Sequence, residues 1–158
     1  MTELLGTDNF NLGPHLVSIA IAYLLALPIG WNREKAERSA GLRTFPLVAI
    51  ACCGLIQAAE TFAAGNAEAM ARIVEGLIAG IGFIGGGAIL QRGDRVQGTA
   101  TAAALWGTGA IGIAVGIGSI DVAVMLALVT GMTLYFMSPL KRELVRDRDG
   151  EAAKGEIA

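Results

Sequence analysis

The chain has 158 residues, of which 54% are hydrophobic and 16% charged, and its mean hydropathy is +0.59. This composition excludes an ordinary soluble enzyme, because too few charged side chains are available to cover a water-facing surface. The net charge of −2 conceals a segregation, since long uncharged stretches alternate with short basic segments. A nucleic-acid partner is therefore not expected, and the pattern is typical of a protein that crosses a membrane several times.

Five apolar segments are long enough to cross a bilayer as helices. The first includes 24 consecutive uncharged residues, 9–32, and about 20 helical residues cross a hydrocarbon core of ~30 Å. The predicted spans are residues 14–31, 44–63, 72–91, 98–117 and 121–139. Residues 14–140 are thus predicted to form one all-α transmembrane bundle, between an external segment, 1–13, and a charged cytoplasmic tail, 141–158.

The basic residues predict how the bundle is oriented. Lys and Arg are retained on the cytoplasmic side of a membrane. Of the 12 Lys and Arg residues, eleven lie in the first loop, the third connection and the tail, and one, Arg72, lies in the second connection. The N-terminus is therefore predicted outside and the C-terminus in the cytoplasm. Because no basic residue precedes the first span, a cleaved signal peptide is not expected.

Small residues predict close packing between the helices, since helices in lipid associate through close backbone approach. One four-residue ladder runs along the first span, at Ser18, Ala22, Ala26 and Gly30, and another along the fourth, at Ala100, Ala104, Thr108, Gly112 and Gly116. The residues predicted to serve packing are Gly80, Gly82, Gly85, Gly87, Gly98, Thr101, Trp106, Gly112 and Gly116. Glycine in an isolated helix costs ~1 kcal/mol, so tight neighbours are expected to compensate. A permeation path is the alternative interpretation.

The first predicted loop is rich in polar residues. Asn32, Arg33 and Glu34 end the first span, and Arg43 and Thr44 begin the second. An arginine donates a fork of hydrogen bonds to carboxylates or carbonyls, so Arg43 is a candidate for stapling the two helix ends together. The alternative is a solvated arginine that snorkels to the interface.

A second polar feature is the pair Arg72 and Glu75, which are one helical turn apart. They are predicted to form an ion pair that lowers the cost of a carboxylate near the membrane, and a functional acid is the alternative. Glu75 is also a weak candidate for binding a cation such as Mg²⁺. The adjacent Cys52 and Cys53 are predicted to be buried thiols rather than metal ligands. No cofactor motif is recognised.

Four spaced segments between Leu16 and Gly118 resemble the MgtC/SapB family of bacterial membrane proteins. The segments that carry the resemblance are Gly30 with Arg33, Ala40 to Thr44, Arg72 with Gly80 to Gly87, and Gly98 to Gly118 including Thr101 and Trp106. The chain departs from the family at Asn32, where an acid is usual, at Gly76, where a glutamine is usual, and at Glu75, where a small apolar residue is usual. Many relatives also carry a soluble C-terminal domain resembling an ACT fold, for which the tail is expected to be too short.

The resemblance implies an inner-membrane protein linked to adaptation to low magnesium and, in pathogens, to survival inside macrophages. The function expected from it is that of a regulator that binds other membrane proteins, notably ATP synthase. The alternative is a transporter or channel for magnesium or another small ion, or an accessory subunit of a transporter. The many small-residue faces also predict a homo-oligomer, most simply a two-fold dimer.

Overall fold

The computed structural model describes residues 12–36, 40–92 and 95–155. Within these residues, five helices are long and apolar enough to span a membrane, which confirms the predicted all-α class. The elements are α1 (Leu12–Lys35), α2 (Thr44–Ala63), α3 (Ala67–Gly87), β1 (Leu90–Arg92), β2 (Arg95–Gln97), α4 (Thr99–Ile117) and α5 (Ile120–Gly155). Most of the predicted external segment lies outside the described residues, and the orientation in the membrane remains a prediction.

The third helix begins and ends earlier than the sequence predicts. It starts at Ala67 rather than at residue 72, because the Asn66 side chain caps it by accepting the N–H of Ala69 at 3.0 Å. It ends at Gly87, and a short antiparallel hairpin of β1 and β2 then pairs Leu90 with Gln97. The predicted span 72–91 placed Leu90 and Gln91 in the helix, and the hairpin was not predicted.

The last helix is longer than one span. The apolar part of α5 ends at Met137, but the backbone continues as helix to Gly155, through most of the predicted charged tail. The corner between α4 and α5 is tight, because Gly118 adopts a φ of +90° and donates its N–H to the carbonyls that end α4. This corner separates the helices of the predicted spans 98–117 and 121–139.

Helix α4 lies at the centre of the bundle and packs against all four other helices. Its side chains are buried along most of its length, whereas α3 buries only Ile81 and Gly85. Consecutive helices run in opposite directions, as the contacts between α3 and α4 show, where Gly85 lies near Ala102 and Ile81 near Gly109. The α1–α2 junction and the hairpin therefore lie at one end of the bundle, which we call the junction end, and the α2–α3 and α4–α5 turns lie at the opposite end.

Candidate functional site

The polar residues of the first loop are brought together where α1 ends and α2 begins. The Glu34 carboxylate accepts the backbone N–H of Leu42 at 3.0 Å. A Cβ added at Gly41 would overlap that carboxylate, and one added at Gly30 would lie 3.3 Å from the Gly41 carbonyl oxygen. The two helix ends are thus held by a carboxylate and by glycine contacts. Glu34, rather than the predicted Arg43, provides the staple.

Arg33 is the most deeply buried charged residue among the described side chains, with 3% of its surface exposed. Its Nε and Nη2 atoms donate to Oδ1 of the neighbouring Asn32, at 3.2 and 2.6 Å. A buried guanidinium is stable only when its donors are satisfied, and its place in the last turn of α1 also favours a positive charge. The Arg33 side chain is therefore held by hydrogen bonds inside the junction of α1 and α2.

Unlike Arg33 and Glu34, Arg43 and Thr44 line a groove between α2 and α3. Arg43 is exposed, and its side chain does not cap α2. Both residues lie at one end of a groove of about 680 Å³ between α2 and α3, which we call the α2–α3 groove. The rest of its lining is almost entirely apolar and includes Leu47, Ala51 and Leu55 of α2 and Gly76, Gly80 and Ile84 of α3.

Arg72 and Glu75 lie near the start of α3, at the opposite end of the bundle from the junction. The predicted ion pair between them is wrong, because Arg72 Nη2 bonds Glu68 Oε1 at 2.8 Å instead. A glutamate four residues before the arginine is a favoured helical pair, and the earlier start of α3 brings Glu68 into the helix. Glu75 is exposed. The seven predicted polar residues therefore form two separate groups.

Two glycines of α4, Gly112 and Gly116, pack closely against α2. A Cβ at Gly112 would overlap the Ala49 carbonyl oxygen, and one at Gly116 would lie 2.7 Å from Ile56 Cβ. Thr101 is buried, with 1% exposure. Trp106, in contrast, is 48% exposed, so about half of its surface is left uncovered by the described residues.

The glycines of α3 differ from those of α4. Gly85 packs closely on Ala102 of α4, but Gly80, Gly82 and Gly87 have no described residue from outside their own helical turns within 4 Å of the Cβ position. Their predicted packing within the chain is therefore not seen. Gly98, which precedes α4, has a φ of +91° and lies so close to the Ala88 carbonyl that a side chain would overlap it.

Metal-binding residues are not clustered in the described part of the chain, where no three His, Cys, Asp or Glu side chains come together. Glu75 thus remains a single exposed carboxylate rather than part of a cation site. Cys52 and Cys53 are buried free thiols, as predicted.

Comparison with known proteins identifies the family. The model of the MgtC family matches residues 19–143, which include all five membrane helices in whole or in large part. The chain belongs to the MgtC family. It is also 36% identical over 138 residues to the protein SrpB of Synechococcus elongatus, a match that covers 78% of this chain and 75% of SrpB.

Other relatives of this MgtC family member are longer. The protein MgtC of Salmonella typhimurium LT2 is 34% identical over 116 residues, covering 73% of this chain and 49% of MgtC. An uncharacterized protein of Haemophilus influenzae is 35% identical over 155 residues, covering 91% of this chain and 64% of that protein. The chain thus spans about half the length of the MgtC proteins it matches. No solved structure is significantly similar to it.

Membership of the MgtC family, together with the five apolar helices, makes the chain a multi-pass inner-membrane protein. The matched region contains both polar groups and the glycines of α3 and α4. Glu68 is the partner of Arg72 that was not predicted from the sequence. The i, i+4 spacing of Glu68 and Arg72 was the signal that could have identified it.

Proposed function

We propose that this MgtC family member is a non-enzymatic regulator of the inner membrane that acts by binding other membrane proteins. The observation that carries the proposal is the direct backbone contact between α2 and α4 in the middle of the bundle. Gly112 lies against Ala49 there, and Gly116 against Cys53 and Ile56. Such close packing favours a closed bundle over one that conducts ions.

The separation of the polar groups supports the same proposal. Arg33 and Glu34 lie at the junction end, whereas Arg72 and Glu75 lie near the other end of the bundle. The 20 residues of α2 that run between these ends are about 30 Å long. Large apolar side chains, including Phe45 and Ile56, fill the interior beside α2. Apart from Arg33, the buried polar side chains among the described residues are the uncharged Gln57, Thr101 and Thr108, whereas ion pathways are usually marked by ionisable groups.

The surface that we propose for partner binding is the outer α3 face, formed by Ala79, Gly82, Phe83 and Gly86. Phe83 is 85% exposed, and Gly82 and Gly86 are open and four residues apart on one side of the helix. Small residues at this spacing allow a second helix to approach closely, and an adjacent aromatic ring adds dispersion contacts. Glu75 lies two turns before Gly82 on the same side of the helix and adds a polar group to this surface.

The first candidate partner is ATP synthase, as the family resemblance implies, in a response to low magnesium and, for pathogens, in intracellular survival. The relatives named MgtC support the family membership on which this candidate rests. A second copy of the chain is the other candidate occupant, in a two-fold dimer.

The experiment is photocrosslinking in native membranes, with a benzophenone amino acid in place of Phe83. We expect Gly82→Leu and Gly86→Leu to lower the yield of crosslinked partner at least ten-fold, because a bulky side chain prevents close approach. Gly87→Leu is the matched control, since Gly87 is also open, lies on another side of α3 and does not line the α2–α3 groove. Equal yields from all these variants would contradict the proposal, and the mass of the product distinguishes ATP synthase from a second copy.

The second candidate function is the transport of magnesium or another small ion, and the exposed Glu75 carboxylate is the observation that favours it. The test is flux of magnesium and protons into liposomes that contain the purified protein, compared with empty liposomes. A regulator gives the same flux as empty liposomes. Flux that depends on the protein and is reduced by Glu75→Gln would replace the regulator by a carrier.

A further inference from the structure

The α2–α3 groove has the length of one bilayer leaflet. Its α2 wall runs from Thr44 to Leu55 and its α3 wall from Ile73 to Ile84, so each wall is about 17 Å long at 1.5 Å per residue. The hydrocarbon core is ~30 Å thick, and one leaflet is half of that. A transmembrane helix from a partner would extend well beyond such a groove, whereas one acyl chain fits its length.

The junction end of the groove is positively charged. Arg43 lies there, is exposed, and forms no side-chain hydrogen bond or ion pair with any residue in the described part of the chain. The Thr44 hydroxyl is beside it. An arginine fork matches the geometry of a phosphate, and a basic group at the membrane surface attracts anionic headgroups.

The middle of the groove has room for an acyl chain. Gly76 and Gly80 have no described residue within 4 Å of the Cβ position, and both line the groove. Ala51 and Leu55 form the opposite wall. The groove is therefore apolar and accessible over its length, with polar groups confined to Arg43 and Thr44 at one end.

We propose that the α2–α3 groove binds one anionic phospholipid, with the phosphate on Arg43 and an acyl chain between Ala51 and Gly80. The positive charge of Arg43 favours an anionic headgroup. The length of the groove walls matches an acyl chain that spans one leaflet. This site is separate from the outer α3 face and does not depend on the proposed partner binding.

The test is quenching of a single tryptophan by lipids with brominated chains. The reporter protein carries Leu55→Trp at the inner end of the groove, with Trp31→Phe and Trp106→Phe to remove the two native tryptophans. It is reconstituted into phosphatidylcholine vesicles that contain an equal fraction of brominated phosphatidylglycerol or brominated phosphatidylcholine. We expect brominated phosphatidylglycerol to quench about five-fold more strongly, which corresponds to ~1 kcal/mol for one basic residue at the surface.

Two charge variants separate a site from a general attraction. Arg43→Gln should make the two brominated lipids quench equally. Lys35→Gln removes a charge from the same end of the bundle, in the last turn of α1, and should leave the preference intact. Equal quenching in the unmodified reporter, or an equal loss in both variants, would overturn the proposal.

Substitutions of glycine by the larger leucine test where the acyl chain lies. Gly80→Leu fills the groove and should lower quenching by phosphatidylglycerol to the level of phosphatidylcholine, whereas Gly82→Leu lies outside the groove and should not. Gly76→Leu provides a second groove-filling variant if Gly80→Leu fails to insert, and circular dichroism checks the helix content of each protein. Unchanged phosphatidylglycerol quenching in the groove-filling variants would show that the chain does not lie there.

Discussion

The contact between α2 and α4 gives the sharpest test of the packing. In Gly112→Ala, the new Cβ would overlap the Ala49 carbonyl oxygen and lie 3.0 Å from the Ala49 Cα and carbonyl carbon. Carbon atoms pack best at about 3.5–4.0 Å, so the helices must separate by ~0.5–1 Å, which forfeits a quarter to a half of each contact energy. Overpacking of this kind costs ~1–3 kcal/mol.

The matched control for this substitution is Gly82→Ala, at an open position of α3. Replacing glycine by alanine in a helix stabilises both variants equally, by ~1 kcal/mol. The difference between their free energies of unfolding therefore gives the steric cost at Gly112. The measurement is unfolding of the purified protein in mixed micelles with increasing sodium dodecyl sulfate, followed by circular dichroism. We expect Gly112→Ala to unfold at lower detergent fraction, with a free energy of unfolding ~1–3 kcal/mol below that of Gly82→Ala. Equal stability of the two variants would refute the tight α2–α4 contact.

Three further substitutions test local features in the same unfolding assay. Asn66→Ala removes the cap of α3 and should lower the free energy of unfolding by ~1 kcal/mol, whereas Asn66→Asp should retain the stability. An equal loss of stability in both variants would contradict the role of Asn66 as a cap. Arg33→Lys loses the paired hydrogen bonds to Asn32 and should lower the free energy of unfolding by ~1–3 kcal/mol. Unchanged stability would show that these paired hydrogen bonds are unimportant. Arg72→Ala breaks only an exposed pair with Glu68 and should change the stability by less than ~0.5 kcal/mol, and a larger loss would show a role beyond that pair.

The number of membrane helices could be predicted from sequence because long charge-free stretches leave few alternatives in a bilayer. Helix ends were harder to place. The predicted third span began at Arg72 and left Glu68 in the preceding connection, whereas the Asn66 cap and the i, i+4 pair of Glu68 and Arg72 hold that segment in the helix. Charge alone does not distinguish a polar loop from the polar first turns of a helix.

The role of each glycine could not be predicted from sequence alone. Gly112 of α4 and Gly82 of α3 have similar apolar neighbours in the chain, yet one touches a backbone and the other is open. Their difference arises from the position of the helix, since α4 is surrounded by the other four and α3 lies at the edge. Spacing identifies a face of small residues, but only the packing of the whole bundle decides whether that face points inward.

The edge position of α3 also connects the two proposed binding surfaces. The α2–α3 groove and the outer α3 face lie on different sides of this one helix, which buries only Ile81 and Gly85. A lipid in the groove would add contacts on the side where α3 has few, and would thereby reduce the freedom of the face that a partner must bind. We therefore expect Arg43→Gln to lower partner crosslinking in vesicles that contain phosphatidylglycerol and to leave it unchanged in phosphatidylcholine alone. Equal crosslinking by the variant and the wild type in both membranes would show that the two surfaces act independently.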